Sequence, residues 1–176
     1  MAPQYSPSSL LARHRTAAAA GLVFLGGAAV VAGAWGFQLI GGYVPCKLCL
    51  EQRVPYYVGL PLALIAFLIA RFAPHRMTIA KLALVAFAIL MIYGGGIGVY
   101  QSGAEWKFWP GPVDCGGGGS LANDSGNLLN SLQNLHVVSC SEASWRMFGL
   151  SFAGWNAVAS AGLAIVALWG AMARRP

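Results

Sequence analysis

Four stretches of the chain contain no Asp, Glu, Lys or Arg: 17–42, 54–70, 82–102 and 147–173. A helix rises about 1.5 Å per residue, so roughly 20 such residues cross a hydrocarbon core about 30 Å thick. Each run reaches that span, the second near the lower limit. They are continuously apolar, rich in Ala, Leu and Gly, and lack the period-two alternation of a membrane barrel, so helices are expected. With 57% hydrophobic and 9% charged residues in a chain of 176, too few polar side chains remain to coat a water-soluble globule. The expectation is an all-α membrane protein, a single integral membrane domain over 1–176. It is a four-transmembrane-helix bundle with a short loop at 43–53 and a long one at 103–146.

The net charge of +6 does not point to nucleic acid, because the basic residues form short clusters between apolar runs rather than one basic face. No nucleic-acid partner is expected. The positive-inside rule instead places Arg13, Arg15, Arg71, Arg76, Lys81, Arg174 and Arg175 on the cytoplasmic side, with both termini. Lys47, Arg53, Lys107 and Arg146 fall opposite, with the five acids Glu51, Glu105, Asp114, Asp124 and Glu142. Arg13 and Arg15 before an apolar run, with Ala32-Gly33-Ala34 beyond, also suit a cleavable signal peptide. The run continues through Ile40, longer than a usual signal core of about 7 to 15 residues, which favours a retained helix.

All four cysteines, Cys46, Cys49, Cys115 and Cys140, fall in the two non-cytoplasmic loops. In a bacterium that side is oxidising, and an even count reads as two pairs. Cys46-Lys47-Leu48-Cys49 has the spacing of dithiols that cycle between open and closed forms. Cys115 and Cys140 enclose a tether that includes Gly116 to Gly119. Lys47, Arg53 and a helix start at Pro55 would each favour a thiolate nearby. Arg53, at the membrane boundary, is placed either to snorkel to headgroups or to bind a polar ligand group. Two static disulfides bracing a loop remain an alternative. Zinc is a weaker one, since a second CxxC or a close His pair is lacking, and no metal site is assigned.

From Pro45 to Arg53 the sequence PCKLCLEQR resembles the DsbB family of membrane disulfide-generating proteins, in which a CxxC is followed four residues later by an arginine. The order also matches: a CxxC after the first of four helices, then a separated cysteine pair before the fourth. The resemblance covers nearly the whole chain. It implies a bacterial inner-membrane oxidoreductase with periplasmic cysteines that reoxidises a DsbA-like, thioredoxin-fold disulfide donor. Cys115 matches the cysteine that forms the mixed disulfide with that partner, and Cys140 its mate. Electrons would pass to Cys46 and Cys49, then to a membrane quinone (ubiquinone or menaquinone) beside Cys49 and Arg53. Some relatives carry a histidine near the quinone where this chain reads Tyr100-Gln101-Ser102-Gly103, and an acid where it has Gln52. The vitamin K epoxide reductase family shares the chemistry, but places its CxxC after the other pair.

The competing reading is a non-enzymatic four-helix membrane adaptor or small transporter with two structural disulfides. Against transport, no acid or base lies within any of the four runs. In the long loop, Leu128, Leu129, Leu132 and Leu135 form a helical stripe that Asp124 or Ser125 would cap. It suits either the membrane surface or the protein's own helix ends. Trp106, Phe108, Trp109, Trp145 and Phe148 read as an interfacial belt, with one or two near the quinone ring. Gly94 to Gly98, and Gly149, Ala153, Ala157 and Ala161 in the fourth helix, read as close-packing stripes. Pro61 falls inside the second helix, where it either kinks the helix or has its lost hydrogen bond absorbed by a neighbouring one, and His14 and His75 are assigned no chemistry.

Overall fold

Helices dominate because a chain solvated by hydrocarbon must satisfy its backbone polar groups internally. A computed structural model describes residues 7–43, 45–111, 143 and 145–173; Cys115, Cys140 and the leucine stripe at 128–135 lie outside them. In chain order the elements are α1 (Pro7–Leu39), a short α2 (Lys47–Glu51), α3 (Val54–Phe72), a 3-10 turn (Pro74–Arg76) and α4 (Met77–Glu105). Then come two short strands, β1 (Arg146–Met147) and β2 (Leu150–Ser151), and α5 (Phe152–Ala171). Among the described residues, four helices are long and apolar enough to cross a membrane, as the uncharged runs predict.

Three helices outrun their uncharged stretches, because a basic residue marks where hydrocarbon ends rather than where a helix does. α1 begins at Pro7 and carries Arg13 and Arg15 within it. Arg13 Nε donates to the Ala70 carbonyl at 3.0 Å and Nη2 to that of Arg71 at 2.7 Å, satisfying carbonyls that the end of α3 leaves open. The Arg15 guanidinium lies 4.5 Å from the centre of the Trp169 ring. Lys81, in the first turns of α4, donates to the Ala173 carbonyl just past α5. One end of the bundle is thus tied by basic side chains. Pro61 lies on the exposed face of α3, which continues through it.

The fourth apolar run differs at its start. Residues 146–151 form an antiparallel hairpin with Arg146 opposite Ser151 and Met147 opposite Leu150, and α5 starts only at Phe152. Phe148 and Gly149 have φ of 53° and 83°, the positive values that a two-residue hairpin turn demands. Gly149 therefore serves the turn and not the helical stripe. Ser151 ends the hairpin and caps α5, its Oγ accepting the Gly154 N–H at 3.3 Å.

α1, α3, α4 and α5 follow one another around the bundle, with α1 and α4 diagonal. The core holds Val23, Tyr56, Leu84, Phe87 and Met91 among buried alanines such as Ala63, Ala80 and Ala167. Leu22, Leu25, Ile89, Ile92 and Ile165 point outward, which suits a lipid surround. α4 and α5 meet through small residues: a Cβ on Gly98 would sit 2.8 Å from the Ala153 carbonyl oxygen and 3.2 Å from the Ala157 nitrogen. Overpacking a fitted contact costs about 1–3 kcal/mol. Gly98→Ala is therefore expected to lower the thermal unfolding midpoint in detergent. Gly162→Ala, where nothing lies within 4 Å, should leave it unchanged or raise it, because alanine favours the helix. Equal effects of the two substitutions would contradict the packing described.

Candidate functional site

At the end of the bundle away from the basic ties, Gly42 (φ 69°) turns the chain back after α1 and Pro45 leads into α2. Cys46 is the N-cap of α2, in extended conformation, and its Sγ accepts the Cys49 N–H at 3.3 Å. The two-residue spacing therefore wraps both sulfurs around one helical start. They are free thiols with Sγ atoms 2.8 Å apart. Cys46 is buried, and Cys49 is half-buried. The contact with the Cys49 sulfur and then burial push the Cys46 thiol well above its ordinary value, so Cys46 keeps its proton.

A buried chain of amides supports the pair. Gln101 of α4 points Nε2 at both sulfurs, 3.5 Å from each, and at Glu105 Oε1, 3.3 Å away. Its Oε1 accepts from Gln52 Nε2 at 2.7 Å, and Gln52 Oε1 accepts from Asn156 Nδ2 of α5, also at 2.7 Å. Tyr56 of α3 donates to Asn156 Oδ1 at 2.9 Å and lies 2.8 Å from Ser160 Oγ. Gln52, Gln101 and Glu105 are 5%, 4% and 7% exposed, so each polar atom depends on the others for the hydrogen bonds that water would have supplied. α2, α3, α4 and α5 are thereby joined behind the cysteines.

In front of the cysteines lies a cavity of about 340 Å³, bordered by Cys46, Cys49, Gln52, Arg53, Glu105 and Asn156. Its α1 wall is small and apolar, with Ala29, Val30, Gly33 and Ala34. Phe37, Tyr43, Trp145 and Phe152 form a connected ring cluster on the same cavity. Trp145 stacks on Phe152 with centroids 4.9 Å apart, and Phe37 meets Phe152 edge-on at 4.9 Å. Arg53, at the start of α3, reaches across to α1. Its Nη1 donates to Gln38 Oε1 at 2.7 Å and Nη2 to the Ala34 carbonyl at 3.4 Å, with the Trp35 ring 5.6 Å away. Its cation is thus fixed on the cavity wall.

The structure brings Cys46, Cys49 and Arg53 to one chamber. Lys47 and Glu51 are exposed on α2, and the hydrogen bonds described at the sulfurs come from Gln101 and the Cys49 backbone, not from a lysine or arginine. Among the belt aromatics, Trp145 lines the chamber. Trp109 instead stacks on Tyr100 and donates to its carbonyl at 2.9 Å. Sequence reasoning passed over Gln52, Gln101, Glu105 and Asn156 as site residues. The signal that would have found three of them is a carboxamide set in or beside an apolar run, where it needs a partner.

The family profile described as disulfide bond formation protein DsbB matches residues 15–170. Three similar proteins carry the name disulfide bond formation protein B. That of Nitrosococcus oceani is 30% identical, over 76% of this chain and 78% of its own. The Methylococcus capsulatus protein is 31% identical over 84% and 88%, and the Stutzerimonas stutzeri protein 25% over 84% and 90%. No solved structure gives a significant match.

The geometry fixes an order of thiol reactivity. In the reduced protein iodoacetamide should label Cys49 before Cys46 throughout the neutral range, because the Cys46 thiol stays protonated there. A hydrogen bond to a charged group contributes about 1.5–3 kcal/mol, so Gln101→Leu should slow Cys49 labelling roughly tenfold or more. An unchanged rate would mean that the sulfur draws its support from elsewhere.

Proposed function

Since the chain belongs to the DsbB family, we propose that this multi-pass membrane protein of disulfide bond formation is a dithiol:quinone oxidoreductase of the bacterial inner membrane. It reoxidises a periplasmic DsbA-like thioredoxin-fold protein and passes the electrons through two cysteine pairs to a quinone. Both termini are cytoplasmic and all four cysteines periplasmic in this reading, which the distribution of basic residues supports. The observation that carries it is the single chamber shared by the Cys46–Cys49 pair and Arg53.

The chamber suits a quinone on its own terms. Its volume lies within the range of small-molecule sites, about 300–1,000 Å³, and its walls are apolar and aromatic with few polar groups. Arg53 and Cys49 are the residues that would hold the ring, with Trp145 and Phe152 beside it. A quinone accepts two electrons and two protons, which supplies the non-thiol sink that disulfide exchange among proteins lacks.

The protein residues then have distinct tasks. Cys115, paired with Cys140, takes the thiolate attack of the reduced partner; that disulfide breaks and a mixed one forms. Attack by the partner's second thiol releases the partner oxidised and leaves Cys115 and Cys140 reduced. Their two electrons pass by a second exchange to the Cys46–Cys49 disulfide. These roles for Cys115 and Cys140 rest on the family resemblance. In the reduced CxxC pair, Cys46 retains a proton while Cys49 borders the chamber, and Arg53 would offset negative charge developing on a quinone held there. The Gln38 and Ala34 contacts hold that cation in place before the reaction starts.

The test is anaerobic quinone absorbance after mixing detergent-purified protein with a reduced thioredoxin-fold oxidase. Thiol-dependent quinone reduction is expected, with none in Cys49→Ser; turnover in that variant would sink the relay. Arg53→Ala should lower kcat/KM for quinone about ten- to a hundredfold, the worth of one charge-assisted hydrogen bond. Capture of the partner as a mixed disulfide at Cys115 should survive that change. A quinone dependence unaltered by the substitution would remove Arg53 from the site.

A further inference from the structure

Glu105 ends α4 with 7% of its surface exposed, and the relay described above gives it no task. One carboxyl oxygen, Oε1, accepts from Gln101 Nε2. The other, Oε2, is buried and makes no hydrogen bond of normal geometry among the described residues, with the Ser151 hydroxyl as the nearby polar group facing the carboxyl. A carboxylate held this way is costly, and one that takes up a proton relieves the cost. Glu105 also borders the chamber that Cys49 borders, and Gln101 touches the carboxylate and both sulfurs through one nitrogen. The site thus contains a proton-binding group beside a thiol pair that must handle two protons for every two electrons.

We propose that Glu105 holds the second proton of the reduced Cys46–Cys49 pair, in place of Cys49, and releases it when the pair is reoxidised. The inference rests on the redox reading of the CxxC. When the disulfide is reduced, two electrons break the S–S bond and two protons enter; one stays on Cys46 Sγ and the other on a Glu105 carboxyl oxygen. Cys49 is left as the thiolate that faces the chamber. On reoxidation the S–S bond would re-form as its electron pair passes to a quinone, which would take up the two protons that Cys46 and Glu105 release. Glu105 returns to carboxylate, and atoms and charge balance. Among the described residues, the charged and titratable groups around it are few. Cys46 and Cys49 come from α2, Arg53 and Tyr56 of α3 border the same chamber, and Arg146 of β1 donates from Nη2 to the Glu105 main-chain carbonyl at 3.4 Å. Arg146 places a positive charge beside this end of α4, so the proton is held without being trapped.

Glu105 acts through its neighbours and is a proton-holding, positioning residue, so the test needs a readout that simple loss of shape would not move. The midpoint potential of the Cys46–Cys49 pair is measured in quinone-free, full-length protein against thiol redox buffers at a series of pH values, with the pair's state read by alkylation and mass mapping. The wild-type potential should fall with the slope of two protons per two electrons. In Glu105→Gln, which keeps the hydrogen bond to Gln101 but cannot take a proton, the slope should halve around neutral pH. Glu105→Asp should restore it. An infrared difference spectrum, reduced minus oxidised, should contain a protonated-carboxyl band that Glu105→Gln abolishes. Equal slopes in wild type and Glu105→Gln, or a spectrum without that band, would overturn the proposal. Because no quinone is present, a halved slope would stand even if quinone reduction failed, and normal quinone reduction would not rescue unchanged slopes.

Discussion

A carboxamide inside a membrane protein must pair both its oxygen and its nitrogen, and Gln101 meets that demand where α4 touches α2, from which Gln52 carries the chain on to α5. Its oxygen is held by Gln52, its nitrogen by the two sulfurs and Glu105. Removing it would leave several buried polar atoms unpaired at once, each costing about 1–3 kcal/mol. That shared dependence fixes the CxxC against α4 although α2 is only five residues long. The helix alone would be too short to persist, since isolated helices need roughly 12–15 residues to be even marginal in water.

The same arrangement divides the chamber. Behind the sulfurs, the wall is a closed set of amides and a carboxyl group with little freedom. In front, it is alanine, glycine and aromatic ring, offering surface without hydrogen bonds. Arg53 stands between the two, its guanidinium already committed to Gln38 and Ala34. A cation positioned before a ligand arrives loses little entropy on contact, which is how a site with few polar groups still orients what it binds.

Much of the bundle was legible in the chain because lipid penalises charge without exception, so runs lacking Asp, Glu, Lys and Arg mark the spans. Their ends were less legible. Arg13 and Lys81 sit within helices because long side chains can reach carbonyls at a neighbouring helix end, and Ser151, not the apolar pattern, starts α5. The Cys46–Cys49 pair and Arg53 were legible because their relation is local. Gln101 and Asn156 were not: they meet Gln52 across 49 and 104 residues of chain, and only the packed fold brings them there. Glu105 read as a loop acid on the same grounds, yet it closes the last turn of α4.

The glycine contact between α4 and α5 lies one turn from that amide chain. Gly98 precedes Gln101 by three positions, and Ala153 precedes Asn156 by three. The close approach at Gly98 therefore sets how far each helix is advanced along the other when Gln101 and Asn156 reach for Gln52. A slip of one residue would move one helix about 1.5 Å along its axis, enough to break bonds of 2.7 Å. The interface acts as a ruler for the redox centre: a methyl group added among residues that touch no sulfur would be read out as a change in the chemistry of the cysteines.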